Sequence, residues 1–181
     1  MLTKAGFIKR TPLSAFSKVR SNGLIAINLE EGDALTWVRL STEGDSVLIG
    51  SMRGMTIHFR LDINELRPLG RTARGVKSMN LRDGDKLVSM DVLTSDLVDQ
   101  LADLDNENGE NNEDLETNSS NGPWVLVASA FGLGKRVPVT QFRLQKRAGM
   151  GLRAIKFRIK DDSLIGLKVL GEGEELSLIH I

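Results

Sequence analysis

The sequence predicts an all-β fold built as a propeller-like array of four-stranded blades. Three observations predict it. A glycine-punctuated unit occurs three times in phase. Each unit contains short stretches of alternating or continuous apolar residues. Each unit also carries an acidic turn between two such stretches.

The phase is set by three recurring anchors. The first is a turn glycine after a short apolar run: Leu2 to Gly6, Val47 to Gly54 and Val125 to Gly132. The second is a glycine that opens an alternating stretch: Gly23 in GLIAINL, Gly75 in GVKSMNL and Gly151 in GLRAIKF. The third is an acidic turn: Gly32-Asp33 before LTWVRL, Gly84-Asp85 before LVSMDVL and Asp161-Asp162 before LIGLKVL. The distance from the second glycine to the leucine after the acidic turn is 12, 12 and 13 residues. The first glycines lie 48 and then 78 residues apart, and the extra 30 equals the length of segment 94–123. Without that segment the period is about 48 residues, within the range of propeller repeats.

Each unit reads as four strands. In the third unit these are Trp124–Ala130, Leu133–Val139, Leu152–Phe157 and Leu164–Leu170. A period of two places the larger apolar residues of such a strand on one face, against a neighbouring sheet. Gly-Asp after a strand is a hairpin signal. Pro12–Ser17 and Asp62–Leu66 read as single helical turns between the second and third strands. One blade buries too little alone, so neighbours must stack to complete the core. The resulting order is repeat 1 at 1–46, repeat 2 at 47–93, an acidic insert at 94–123, repeat 3 at 124–170 and the first strand of a further repeat at 171–181. The ends read as those of a piece of a longer array. The insert starts with the amphipathic SDLVDQLADL and continues as NENGENNEDLETNSSNG, too polar to offset its ordering entropy by burial.

The formal net charge of zero conceals a segregation. Residues 1–93 carry 14 basic and 10 acidic side chains, residues 94–123 carry none and 9, and residues 124–181 carry 10 and 5. A basic body interrupted by an acidic segment points to a polyanionic partner. The basic residues recur at the same places in each unit. The hairpin after the first glycine carries Lys9 and Arg10, then His58 and Arg60, then Lys135 and Arg136. The connection to the third strand carries Lys18 and Arg20, then Arg67, Arg71, Arg74 and Lys77, then Arg143, Lys146 and Arg147. Arg153 follows in the third strand of the last unit. A run of charge usually means a solvated surface. Three runs in phase predict a basic band that neutralises phosphates without reading base sequence. With six Phe, two Trp and no Tyr, stacking platforms for single-stranded bases are scarce, which favours duplex nucleic acid.

Several chemistries are absent from the sequence. Cys is missing, so there is no disulfide framework and no thiolate metal site. The two histidines, His58 and His180, are too scattered for a metal centre. GLGKR at 132–136 lacks the spacing and the Ser or Thr of a phosphate-binding loop. The recurrence of Asp161-Asp162 and the Gly-Asp pairs at one turn assigns them to hairpins, not to a metal. No catalytic residues and no metal ligands are expected, and no apolar run reaches the roughly 20 residues of a membrane span.

GFIKRTPLSAF, RSNGLIAINLEEGDAL, RPLGRTARGVKSMNLRDGDKLVSM and GLGKRVPVTQFR together resemble the C-terminal β-pinwheel domain of DNA gyrase A. The likeness covers nearly the whole chain outside the insert, and the units resemble the third to fifth of six blades. It implies a β-pinwheel whose neighbouring blades exchange strands and whose basic rim wraps double-stranded DNA. It implies that the complete enzyme, an A2B2 heterotetramer of gyrase A with gyrase B, introduces negative supercoils with ATP and Mg used outside this chain. On this resemblance His58 replaces a basic residue and makes a weaker contact. The family's Gln-Arg-Arg-Gly-Gly-Lys-Gly box and its catalytic tyrosine are absent here. The insert and the Gly-Pro-Trp lead-in resemble plant organellar forms, implying chloroplast or mitochondrion; otherwise the location is bacterial cytoplasm. Two alternatives stand beside this reading: the equivalent domain of topoisomerase IV, and a propeller-type scaffold that binds an acidic protein.

Overall fold

A computed structural model describes residues 1–19, 21–99 and 123–171. Eleven strands form three antiparallel sheets among these residues. The first contains β1 (Leu2–Thr3), β2 (Phe7–Ile8), β3 (Leu35–Trp37) and β6 (Val76–Lys77), in the order β3-β1-β2-β6. The second contains β4 (Ser46–Ser51), β5 (Met55–Arg60), β7 (Leu87–Leu93) and β10 (Leu152–Arg153), in the order β10-β5-β4-β7. The third contains β8 (Trp124–Ser129), β9 (Gly134–Pro138) and β11 (Leu164–Leu170), in the order β11-β8-β9. The all-β class and the repeated hairpins agree with the sequence.

The outer strand of each complete sheet comes from the next repeat. Phe7 and Ile8 of repeat 1 pair with Lys77 and Val76 of repeat 2, and Met55 and Thr56 of repeat 2 pair with Arg153 and Leu152 of repeat 3. The reading of the third strand as part of its own unit's sheet is therefore corrected, and the sheets are not coextensive with the repeats. Alternation shows that a segment is a strand with one buried face. It does not show which edge that strand joins. The GLIAINL stretch forms no strand. Strand 152–157 is likewise reduced to two residues.

Gly75 and Gly151 make the exchange possible. A β-carbon at either would lie 2.6 Å from a carbonyl oxygen of the neighbouring hairpin, that of Ile8 or Thr56 respectively. Both have positive φ, which glycine adopts without a steric penalty.

The core lies between the sheets. Val47, Ile49, Ile57 and Phe59 pack with Leu2 and Ile8 between the first and second sheets. Leu48 and Leu93 point the other way and pack with Val125, Val127 and Leu167. The middle sheet is thus apolar on both faces, which explains the unbroken Val-Leu-Ile run in β4. Full burial of each such side chain stabilises by about 1.5–3 kcal/mol.

The acidic turns have one job, repeated three times. Asp33 accepts from the N–H groups of Ala5 and Ala34, Asp85 from those of Arg53 and Lys86, and Asp162 from those of Phe131 and Ser163. Each carboxylate ties the acidic turn to the first hairpin of its own repeat. The expected helical turns are present as a 3-10 helix at Leu13–Phe16 and one α-turn closed by Leu66 N–H to the Asp62 carbonyl at 2.9 Å. Residues 95–99 are helical, and Val98 packs into the second core. The remainder of the expected insert through residue 122, and the expected further repeat at 172–181, lie outside the described residues.

Candidate nucleic-acid interface

The segment joining the second strand of a repeat to its third must cross from one sheet to the preceding one. Residues 61–75 bridge the second sheet to the first, and residues 139–151 bridge the third to the second. Both basic connections therefore run along a seam between sheets. The structure divides their cations into two groups, those pinned to the seam and those left in solvent.

Lys9 belongs to the interior. It is 1% exposed, and its ammonium donates to the carbonyls of Gly70 (2.9 Å), Arg71 (2.6 Å) and Ala73 (3.1 Å). Burial lowers its pKa from the usual lysine value. The expectation that Lys9 meets a phosphate is corrected, because all three of its donors are spent on the next repeat's backbone.

Arg10 and His58 occupy the same repeat position and do the same work. Arg10 Nε donates to the Leu66 carbonyl at 2.5 Å, and His58 Nδ1 donates to the Phe142 carbonyl at 2.6 Å. Leu66 and Phe142 each lie nine residues before the second glycine of their repeats. Arg10 also pairs with Glu43 at 3.1 Å. His58 is buried, and Ser46 Oγ lies 2.8 Å from its Nε2. A carbonyl cannot donate, so Nδ1 carries the proton and the Ser46 hydroxyl donates to Nε2. Desolvation by burial lowers the pKa of this ring; the Phe142 carbonyl opposes the shift, and the Arg60 charge adds to it. The reading of His58 as a weakened rim contact is corrected: it holds two repeats together.

Arg71 and Arg147 form a second equivalent pair. Arg147 donates from Nε to the Glu65 carbonyl at 2.9 Å and from a terminal nitrogen to the Lys77 carbonyl at 2.7 Å. Its backbone N–H meets the Glu65 carboxylate at 3.0 Å. Arg71 reaches the Ile25 carbonyl at 3.5 Å, and Ile25 is the counterpart of Lys77. Arg74 is ion-paired with Glu30 and stacks over Phe7 at 4.1 Å. Lys77 donates to the Asn80 side chain at 2.9 Å. Arg136 lies over the Trp124 ring at 4.3 Å. Arg60, at the end of β5, is half-buried.

Lys18, Arg67, Lys135, Arg143, Lys146 and Arg153 are exposed and have no acidic partner among the described residues. Arg67 occupies one bridging segment, and Arg143 and Lys146 occupy the other. Arg20 lies outside the described residues. Lys156, Arg158 and Lys160 are also exposed and unpaired there, continuing the run that begins at Lys135. No group of three or more His, Asp or Glu side chains among the described residues is placed to hold a metal ion. No helix there is long and apolar enough to cross a membrane.

Strand-exchanged sheets with cations along their seams define a propeller-type repeat protein. The chain belongs to the family described as "DNA gyrase C-terminal domain, beta-propeller", whose model matches residues 1–42, 45–94 and 123–170. The longer stretch the model leaves unmatched is 95–122. Among relatives, the DNA gyrase A protein of Synechocystis sp. is 54% identical over 185 residues, covering 99% of this chain and 22% of that protein. The chloroplastic/mitochondrial DNA gyrase A protein of Arabidopsis thaliana is 39% identical over 172 residues, covering 94% of this chain and 17% of that protein. The chain thus spans about a fifth of the length of these relatives, which include bacterial and plant organellar proteins. Among solved structures, the C-terminal domain of DNA topoisomerase IV aligns with a TM-score of 0.73 at 24% identity, covering 94% of this chain and 45% of that one. That likeness is one of fold.

Proposed function

We propose that this chain binds and wraps duplex DNA as part of a gyrase A protein, and thereby supports ATP-dependent negative supercoiling by the complete type II topoisomerase. The observation that carries the reading is the in-phase placement of unpartnered cations on the sheet-bridging segments, with Arg67 over one seam and Arg143 and Lys146 over the next. Such cations neutralise phosphates and release counterions. The pinned side chains have a separate role: Arg10, His58, Arg71 and Arg147 fix one repeat against the next and so hold the free cations in phase. ATP and Mg act elsewhere in the enzyme, in which gyrase A assembles with gyrase B as A2B2. The compartment is a chloroplast or mitochondrion for a plant-type protein, and the bacterial cytoplasm otherwise.

Wrapping is tested by sealing nicked circular DNA in the presence of the purified chain and then removing the protein. A shift in linking number that grows with protein concentration is expected. Binding without any shift would contradict wrapping while leaving phosphate contact intact.

A further inference from the structure

Phe131 stands at the apex of the hairpin between β8 and β9 and is 55% exposed. Ile159, in the acidic turn bound to that apex, is 49% exposed. The same two positions carry Ala5 and Glu31 in repeat 1, and Arg53 and Asp83 in repeat 2. Arg53 and Asp83 are exposed although a repeat flanks them on either side, so these positions face solvent inside the array as well. Of the three repeats, only the third places large apolar side chains there.

The apex is held rigidly by its own backbone. Ala130 N–H donates to the Ser163 carbonyl at 2.8 Å, Phe131 N–H to the Asp162 carboxylate at 3.1 Å and Gly132 N–H to the Ser129 carbonyl at 3.1 Å. Asp162 N–H in turn meets the Ile159 carbonyl at 3.4 Å, so hairpin and acidic turn form one hydrogen-bonded unit. Arg158 and Lys160 flank Ile159, exposed and without an acidic partner among the described residues. The Asp162 carboxylate is turned inward by the N–H groups it accepts, which leaves Asp161 as the exposed carboxylate of the turn against Lys156, Arg158 and Lys160.

We propose that Phe131 is a wedge: it enters the minor groove of bound duplex DNA, partly unstacks one base step and kinks the duplex there, while Arg158 and Lys160 meet the flanking phosphates. The proposal rests on the nucleic-acid reading above and deepens it. Wrapping requires bending, and an apolar side chain inserted between base pairs concentrates the bend at one step. An apolar tip beside unpaired cations matches a duplex in both respects, since the faces of its base pairs are apolar and its edges are lined with phosphates. The pinned apex suits the role, because a tip already ordered loses little freedom on insertion. The wedge reads no base edge. It favours pyrimidine–purine steps such as TpA, which unstack most easily.

Permanganate oxidises unstacked thymines, so it reads the wedge wherever on the duplex the chain binds. On a linear duplex with several TpA steps, saturating unmodified chain is expected to raise thymine reactivity at least about threefold over free duplex. Phe131→Ala changes an exposed position, with circular dichroism as the check on folding. At saturation it is expected to return the reactivity to that of free duplex, and Phe131→Leu, which keeps an apolar wedge, to retain the rise. Saturated binding without raised reactivity would overturn the proposal and leave phosphate binding intact. Undiminished reactivity with folded Phe131→Ala would also overturn it, and would leave the tip to an acidic protein segment. No binding by the unmodified chain would overturn the nucleic-acid reading and the wedge together.

Discussion

Asp91 and Lys168 occupy the same position in consecutive repeats, six residues past Asp85 and Asp162, and they meet across the seam at 2.8 Å. Asp91 is 4% exposed and also accepts the Val169 N–H at 3.0 Å. Arg39, the counterpart in repeat 1, approaches the other carboxylate oxygen at 3.8 Å. A basic, acidic, basic sequence at one repeat position favours these neighbours over the alternatives, since like charges would repel.

Asp91→Ala is accordingly expected to destabilise the chain by about 2–4 kcal/mol, because a buried acceptor disappears while Lys168 keeps its charge at the surface. Chemical denaturation measures it. A double-mutant cycle with Lys168→Met is expected to return a coupling of about 1 kcal/mol, since Lys168 is half exposed to solvent.

Asp85→Ala removes the acceptor for the Ser51 hydroxyl and for the N–H groups of Arg53 and Lys86. A loss of about 2 kcal/mol in unfolding free energy is expected, with Asp85→Asn losing less because one amide oxygen still accepts. Equal losses for both variants would show that charge, not acceptor geometry, matters at this turn.

The buried His58 gives the second seam a pH dependence that Arg10 cannot give the first. The folded pKa lies below the unfolded value of about 6.5, so the unfolded chain binds more protons there. The stabilisation is present above about pH 6.5 and is lost as pH falls through the folded pKa. His58→Asn retains a donor near Nδ1 and cannot titrate. It is expected to flatten the stability profile between about pH 7 and 5, which thermal unfolding across that range reads directly.

Asp33 and Asp162 act at lower pH. Burial raises both pKa values, but the nearby Thr3 and Ser129 hydroxyls and the backbone N–H groups that donate to the carboxylates outweigh it, leaving both below the usual carboxylate value. Their contribution is present above about pH 3.9 and is lost as pH falls through the folded values. Asp162→Asn is expected to reduce the steepness of acid unfolding below about pH 4. An unchanged acid limb would remove this turn from the account.

What the sequence made legible was periodic. The glycine anchors placed the hairpins, and the threefold recurrence of an acidic turn assigned Asp33, Asp85 and Asp162 to hairpins. Strand exchange was not legible in the alternation, because GVKSMNL would alternate identically in either sheet. Nor did residue type separate Arg147, tied to the Glu65 and Lys77 carbonyls, from Lys146 beside it in solvent. One signal for the seam did exist. Arg10 and His58 sit at one repeat position, and a position that alternates between two hydrogen-bond donors of different charge is better explained by a backbone acceptor than by phosphate.

The division into pinned and free cations is tested most directly by the salt dependence of binding to linear duplex DNA. The nine free cations Lys18, Arg67, Lys135, Arg143, Lys146, Arg153, Lys156, Arg158 and Lys160 predict a slope of log K against log salt of about −8. The triple variant Arg67→Ala, Arg143→Ala, Lys146→Ala is expected to bring that slope to about −5 with little change in melting temperature. Arg147→Ala is expected to lower the melting temperature instead. A slope that the triple variant leaves unchanged would contradict the central claim that these bridging segments carry the DNA.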